Sequence, residues 1–262
     1  MKPCDLTANQ ILEVKSVIQR AGDLLVSMWN KDGLEVKTKN DGTYVSDADT
    51  ASEKCLIEGI LNMFPDHGIV SEESPLSRAL PAGCSSAWII DPLDGTSEFI
   101  NGTNNFSIQV AYCDNGEISA GFVFFPAQDR FVQAVSGFDS TLNGHPLRVS
   151  RNVGLTEQKI YVGGCTPPVG DARVVFPKID SGVALCRVSS GELDGAIIRL
   201  GRFGVWDVAA WSLIVRLSGG QVSGLDGSPL KFEGGNMSST TFVASNRTLH
   251  SDILRLANEC RS

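Results

Sequence analysis

Positive charge is scarce in this sequence: 22 Lys and Arg stand against 30 Asp and Glu, a formal net charge of −8 over 262 residues. That balance argues against nucleic acid or an anionic membrane as partner, because both are held by neutralising many phosphates at once. Histidine is rarer still. His67, His145 and His250 leave a histidine-based catalytic triad little material. The seven cysteines, at positions 4, 55, 84, 113, 165, 186 and 260, contain no CxxC pair, so neither a zinc site nor a disulfide framework is read from them. No apolar run approaches the roughly 20 residues that span a bilayer. Met1-Lys2-Pro3-Cys4-Asp5 lacks the apolar core of a signal peptide, so the expected location is the cytoplasm. Low-complexity tracts and internal repeats are also missing. With 42% hydrophobic and 20% charged residues, the chain has the composition of a folded protein able to bury a substantial core.

Carboxylates at the ends of apolar segments are what the chain does have. Trp88-Ile89-Ile90-Asp91-Pro92-Leu93-Asp94-Gly95-Thr96 reads as a buried strand that breaks at Pro92 and Gly95, with two acids three residues apart at the break. A short helix through Ser97-Glu98-Phe99 follows, and the N–H groups of Gly95 and Thr96 at its start suit an anion. Hard oxygen ligands beside an anion-binding turn fit a divalent metal holding a phosphate. The plain alternative is a strand-end turn with two solvated or capping aspartates.

Around this stretch the pattern is α+β. Thr7-Ala8-Asn9-Gln10 is a capping box, followed by a helical stripe of Ile11, Val14, Ile18, Ala21, Leu25 and Met28. Residues 34–45 alternate and turn at Asp41-Gly42. A second helix starts near Ser46 or Asp47 and stops at Pro65, which places Asp47 and Asp49 in its first turn, with Asp47 read as the capping acid. Gly68 to Ser71 is a short strand running into Glu72-Glu73. Strands at 106–113 and 117–125 are joined by Asp114-Asn115-Gly116, and a third lies at 130–135. The Gly- and Pro-rich stretch from Ser150 to Gly170 reads as loop. It sets the expected boundary between an N-terminal subdomain (1–150), holding most candidate ligands, and a C-terminal one (151–262) that completes the site. There a helix at 183–189, a strand at 194–200, a helix carrying Asp207 in its first turn and ended by Gly219-Gly220, a strand at 241–244 and a last helix from about 246 to 258 are expected.

Asp49, Glu72, Asp91, Asp94 and Asp207 thus come from four separate segments. Taken in order, Val45-Ser46-Asp47-Ala48-Asp49, Glu72-Glu73-Ser74, the Trp88–Thr96 stretch, Asn143-Gly144 with Val149-Ser150, and Trp206-Asp207-Val208-Ala209-Ala210 with Gly219-Gly220 resemble the inositol monophosphatase superfamily over most of the chain. The resemblance implies a layered α/β/α/β/α sandwich with its active site between two subdomains, and a homodimer. It further implies two or three Mg²⁺ ions per site, held by Glu72, Asp91, the carbonyl of Leu93, Asp94 and Asp207. Asp49 and Thr96, with Glu72, would serve the attacking water. Gly95 and Thr96 would hold phosphate, and lithium would inhibit.

For the substrate, Ser97-Glu98-Phe99-Ile100 and the position of Lys39 resemble the 3′(2′),5′-bisphosphate nucleotidases of that superfamily. Arg199-Leu200-Gly201-Arg202 stands where inositol-specific relatives often have a glutamate, and an arginine there can grip a second phosphate; the other reading is a pair of solvated strand-end residues. The expected substrate-binding set is therefore Gly95, Thr96, Lys39, Arg199, Arg202 and Asp207. The expectation is a Mg²⁺-dependent phosphomonoesterase on a small phosphorylated metabolite, a bisphosphate nucleotide first. Inositol 1-phosphate, histidinol phosphate or a sugar phosphate is the alternative. Tyr44 and Ser46 depart from the commoner Pro and Thr, and a short Ser150–Asp180 connection weighs against the nucleotide. Outside the enzymes, a metal- or phosphate-binding regulatory protein is the competing class.

Overall fold

In the computed structural model, residues 3–29, 31, 35–38, 42, 44–74, 85–154, 158–171, 173–174, 179–200, 204–233 and 236–261 are described. The N-terminal part runs α1 (Ala8–Met28), β1 (Val36–Thr38), β2 (Tyr44–Ser46), α2 (Asp47–Met63), β3 (Gly68–Ser71), β4 (Ser86–Asp94), α3 (Thr96–Ile100), β5 (Ser107–Asp114), β6 (Glu117–Phe125), β7 (Arg130–Val135), β8 (Thr141–Leu142) and β9 (His145–Pro146). After it come β10 (Ile160–Gly163), α4 (Ser181–Ser189), β11 (Gly195–Arg199), α5 (Trp206–Leu217), β12 (Gly220–Ser223), β13 (Phe232–Glu233), β14 (Asn236–Met237), β15 (Thr241–Asn246) and α6 (His250–Glu259).

Two sheets organise these elements. One has seven strands in sequential order from β3 to β9, antiparallel except for the β3–β4 pair. The other has four, in the order β10-β11-β15-β12. Strand alternation sorts the side chains. In β4 and β5, Trp88, Ile90, Ile108, Val110 and Tyr112 face α1 and α2, whereas Ile89, Ala111 and Cys113 face the helices between the sheets. α4 and α5 lie in that middle layer, and α5 is apolar around most of its circumference, with Val208 to Val215 all buried, because it has a sheet on either side. α6 covers the outer face of the second sheet through Ile253, Leu256 and Ala257. The result is an α+β fold of five alternating layers, as the resemblance implies. No helix of the described residues is long and apolar enough to cross a membrane.

Local departures from the sequence reading are instructive. β4 does not stop at Pro92 but continues to Asp94 through a register shift between Asp91 and Asp94. Proline is tolerated there because the irregularity leaves its missing N–H without a ladder partner. The presumed loop around 150–170 contains β10, whose Ile160-Tyr161-Val162-Gly163 is wholly buried and pairs in parallel with β11. Four residues between glycine and proline clusters are too few for periodicity to reveal. The short strands β12, β13 and β14 were missed for the same reason. Finally, the acid that completes the capping box of α2 is Asp49, not Asp47. Its Oδ2 accepts from the Ser46 N–H at 2.7 Å and the Ser46 hydroxyl at 2.6 Å, while Asp47 is exposed.

Candidate active site

The C-terminal end of β4, the first turns of α3 and α5 and the N-cap of α4 meet at one cavity of about 350 Å³. Its walls include Gly42, Tyr44, Glu72, Asp91, Leu93, Asp94, Gly95, Thr96, Ser97, Asp180 and Asp207. Gly95 turns the chain out of β4 at φ 82°, a left-handed conformation that a side chain would strain. That turn puts Asp94 on one side and Thr96 on the other.

Asp91, Asp94 and Asp207 each bring a carboxylate oxygen within 4.8 Å of the others. Asp91 is fully buried. Its Oδ1 accepts from the Leu93 N–H at 3.0 Å, but its Oδ2 has no hydrogen-bond partner among the described residues. Asp94 Oδ2 accepts from the Ser107 hydroxyl at 3.1 Å, and Asp207 accepts from the Gly204 N–H. Burial first, then the neighbouring carboxylates, raise all three pKa values well above the usual carboxylate range. Glu72, Asp94 and Asp207 act on Asp91; Asp180 and Asp207 on Asp94; Glu72 and Asp180 on Asp207. A buried, orphaned carboxylate oxygen amid like charges fits a divalent cation with oxygen ligands, and Leu93 and Glu72 line the same cavity.

Beside this cluster lies a second unit. The Thr96 hydroxyl is 3.0 Å from Asp49 Oδ1 and 3.1 Å from the Leu93 carbonyl. Having one hydrogen, it donates to one of them at a time. Asp49 is buried, which raises its pKa, and the hydrogen bonds from Ser46 and Thr96 oppose that rise. The capping of α2 and the orientation of Thr96 therefore use opposite oxygens of one carboxylate.

Residues 8–262 match the model of the inositol monophosphatase family. The chain belongs to that family. A fructose-1,6-bisphosphatase/inositol-1-monophosphatase of Thermotoga maritima is 30% identical over 253 residues, covering 93% of each chain. A protein of Pasteurella multocida named Nus factor SuhB is 30% identical over 260 residues, covering 93% of this chain and 94% of its own. Among solved structures, the inositol monophosphatase of Thermotoga maritima superposes with a TM-score of 0.82 at 28% identity, covering 97% of this chain and 98% of that one. As a member of the inositol monophosphatase family, the chain is a phosphatase, a hydrolase acting on phosphoric monoesters, and family members are metal-dependent.

Measured against the expected site, the inositol monophosphatase fold brings Asp49, Glu72, Asp91, Leu93, Asp94, Gly95, Thr96 and Asp207 to one cavity or its edge. Lys39 and Arg202 lie outside the described residues. Arg199, at the end of β11, does not line the cavity; its charge acts on Cys165 and Cys260. Asp180 was missed. An aspartate before Ser181-Gly182 and an apolar run signals a helix N-cap, and the N-cap of α4 opens onto this cavity.

The raised carboxylates couple pH to stability. Their folded-state pKa values exceed the unfolded ones, so in metal-free protein the stability they contribute is fully present below about pH 4 and is lost as pH rises through the folded values. A cation removes that loss. Magnesium at about 100 times its Kd at pH 8 is expected to raise Tm by about 5–10 °C near pH 8, and the same concentration by clearly less near pH 5, where protons compete for the ligands. Differential scanning calorimetry at both values checks this; a rise that is larger in acid would contradict the reading.

Proposed function

We propose that the chain is a magnesium-dependent phosphomonoesterase in which Glu72, Asp91, the Leu93 carbonyl, Asp94 and Asp207 are the metal ligands. The observation that carries this reading is the convergence of Asp91, Asp94 and Asp207 within 4.8 Å with the buried Asp91 Oδ2 unsatisfied. Magnesium bound there supplies the positive charge that stabilises phosphoryl oxygens and lowers the pKa of water. The protein's own groups do the rest. Asp49 accepts the Thr96 hydrogen, which turns a Thr96 lone pair toward the attacking water and orients it. The N–H groups of Gly95 and Thr96 hold the phosphate from the side of α3. In this reading residues 1–150 supply most ligands, 151–262 supply Asp207, and the enzyme is a cytoplasmic, lithium-sensitive homodimer.

Two substrate readings are carried forward. A 3′(2′),5′-bisphosphate nucleotide rests on Ser97-Glu98-Phe99-Ile100, Lys39, Arg199 and Arg202. A phosphate monoester of a hydroxylated alcohol, such as inositol 1-phosphate, is favoured by a specific observation: the N-cap of α4 brings the carboxylate of Asp180, an acceptor for a hydroxyl, to the cavity wall. The deciding experiment compares kcat/KM for adenosine 3′,5′-bisphosphate and inositol 1-phosphate under saturating magnesium. A tenfold preference corresponds to about 1.4 kcal/mol of transition-state discrimination and decides the class. Absence of release from either would return the protein to the binding class.

A further inference from the structure

A second cavity, of about 540 Å³, is bounded by the start of β6, the last turns of α5, β12 and the connection from Gly227 to Phe232. It shares no residue with the acid-lined cavity. Asp207 sits in the first turn of α5 and Arg216 in the last, about 13 Å further along the helix axis.

The charge of this cavity has the opposite sign. Arg216, Lys231 and Arg247 line it against a single acid, Glu117, in a chain whose net charge is −8. None of the three cations makes an ion pair among the described residues, whereas Lys54, Arg148, Arg173, Arg187 and Arg255 each do. Arg216 is fixed in place: its Nε donates to the Ser212 carbonyl at 3.1 Å and its Nη2 to the Ile118 carbonyl at 3.5 Å, which leaves Nη1 without a partner. Burial pushes its pKa down, and the charge of Glu117 opposes that shift. An arginine stays charged even so, and a cation drawn out of water without a counter-ion is a cost that a bound anion offsets. The C-terminal end of α5 favours a cation at Arg216, but it does not account for Lys231 and Arg247 joining it from two other segments.

Much of the remaining wall is apolar, with Ile118, Val222, Leu230 and Phe232. Its backbone is already tied down. The Phe232 N–H donates to the Gly116 carbonyl at 2.9 Å, and Lys231 is bonded to Ser238 through its N–H at 3.0 Å and its carbonyl at 2.9 Å. A wall held in this way has little ordering left to do when a ligand arrives.

We propose that this cavity is a second binding site, for a small organic dianion: a phosphoryl group met by Arg216, Lys231 and Arg247, on an apolar or aromatic body that packs against Leu230 and Phe232. Three cations against one acid leave two positive charges, which a dianion neutralises. The free edge of the Arg216 guanidinium suits phosphoryl oxygens, and the apolar wall favours a substituted phosphoryl group over a bare inorganic ion.

The test is isothermal titration calorimetry of the magnesium-free full chain with phenylphosphonate, inorganic phosphate and benzoate. Without metal the acid-lined cavity repels anions, so binding reports the second site, and phenylphosphonate is not hydrolysed. The expected result is one saturable phenylphosphonate site with a Kd below about 1 mM, and binding of inorganic phosphate and of benzoate at least about tenfold weaker. Lys231→Gln combined with Arg247→Gln changes two exposed side chains and is expected to weaken phenylphosphonate about tenfold. Arg216→Gln is expected to weaken it at least as much, and Asp91→Asn to leave it unchanged. Absence of saturable binding, binding unchanged in the Lys231 and Arg247 double variant, or binding lost in Asp91→Asn would overturn the proposal. Inorganic phosphate or benzoate binding as tightly as phenylphosphonate would overturn the ligand class.

Discussion

Asp91→Asn is expected to lower kcat/KM for phosphate release by at least about 10³-fold, roughly 4 kcal/mol of transition-state stabilisation, because it weakens the centre of the proposed metal site. The substitution is nearly isosteric, and the Leu93 N–H that Oδ1 accepts keeps an acceptor in the amide oxygen. Stability separates the chemical effect from misfolding. Asp91 is fully buried among Glu72, Asp94 and Asp207, which disfavour its charge, so neutralising it relieves repulsion in the metal-free protein. Its Tm without magnesium at neutral pH is expected to match or exceed that of the wild type, while the rise on adding magnesium shrinks. Such a gain in stability with loss of function marks a site strained for its task. Turnover within about tenfold of wild type would sink the assignment of Asp91 as a metal ligand.

The second large effect is expected at Asp49. Asp49→Asn should reduce kcat by about 10²- to 10³-fold with little change in KM, since it disturbs the orientation of Thr96 rather than the grip on phosphate. The carboxylate also completes the capping box on Ser46, and loss of a cap costs about 1 kcal/mol. Ser46→Ala isolates that part: it loses the hydroxyl that caps α2 but leaves the 3.0 Å contact between Thr96 and Asp49 Oδ1. Similar losses of Tm are expected in the two variants, with a much smaller loss of kcat in Ser46→Ala. Equal losses of kcat would mean that Asp49 acts only by holding the start of α2.

Much of the scaffold was legible because its signals are local. The Thr7–Gln10 capping box lies within one turn of helix and the stripe from Ile11 to Met28 within one helix, and α1 starts at Ala8 as they require. Trp88-Ile89-Ile90 is a buried strand in any context, and Asp114-Asn115-Gly116 turns β5 into β6. The rest depends on what packs against what. β10 is recognisable only beside β11, and Asp49 displaces Asp47 as capping acid because it lies three residues from Ser46 and faces inward. Spacing placed Asp91, Asp94 and Asp207 at strand ends and helix starts, but their convergence follows from α5 lying against the sheet that carries β4. Asp180 is the clearest case. As a letter it is an ordinary N-cap, and it becomes part of the cavity only because Gly182 lets α4 close on Asp94.

The metal assignment is tested most directly by the rate of phosphate release by chelator-treated protein as magnesium is restored, measured on p-nitrophenyl phosphate for the wild type and Asp91→Asn in parallel. Background release is expected without the ion, with a saturable rise of about 10³-fold or more in the wild type and little response in Asp91→Asn. Undiminished release in the presence of chelator, or an equal magnesium response in the variant, would contradict it.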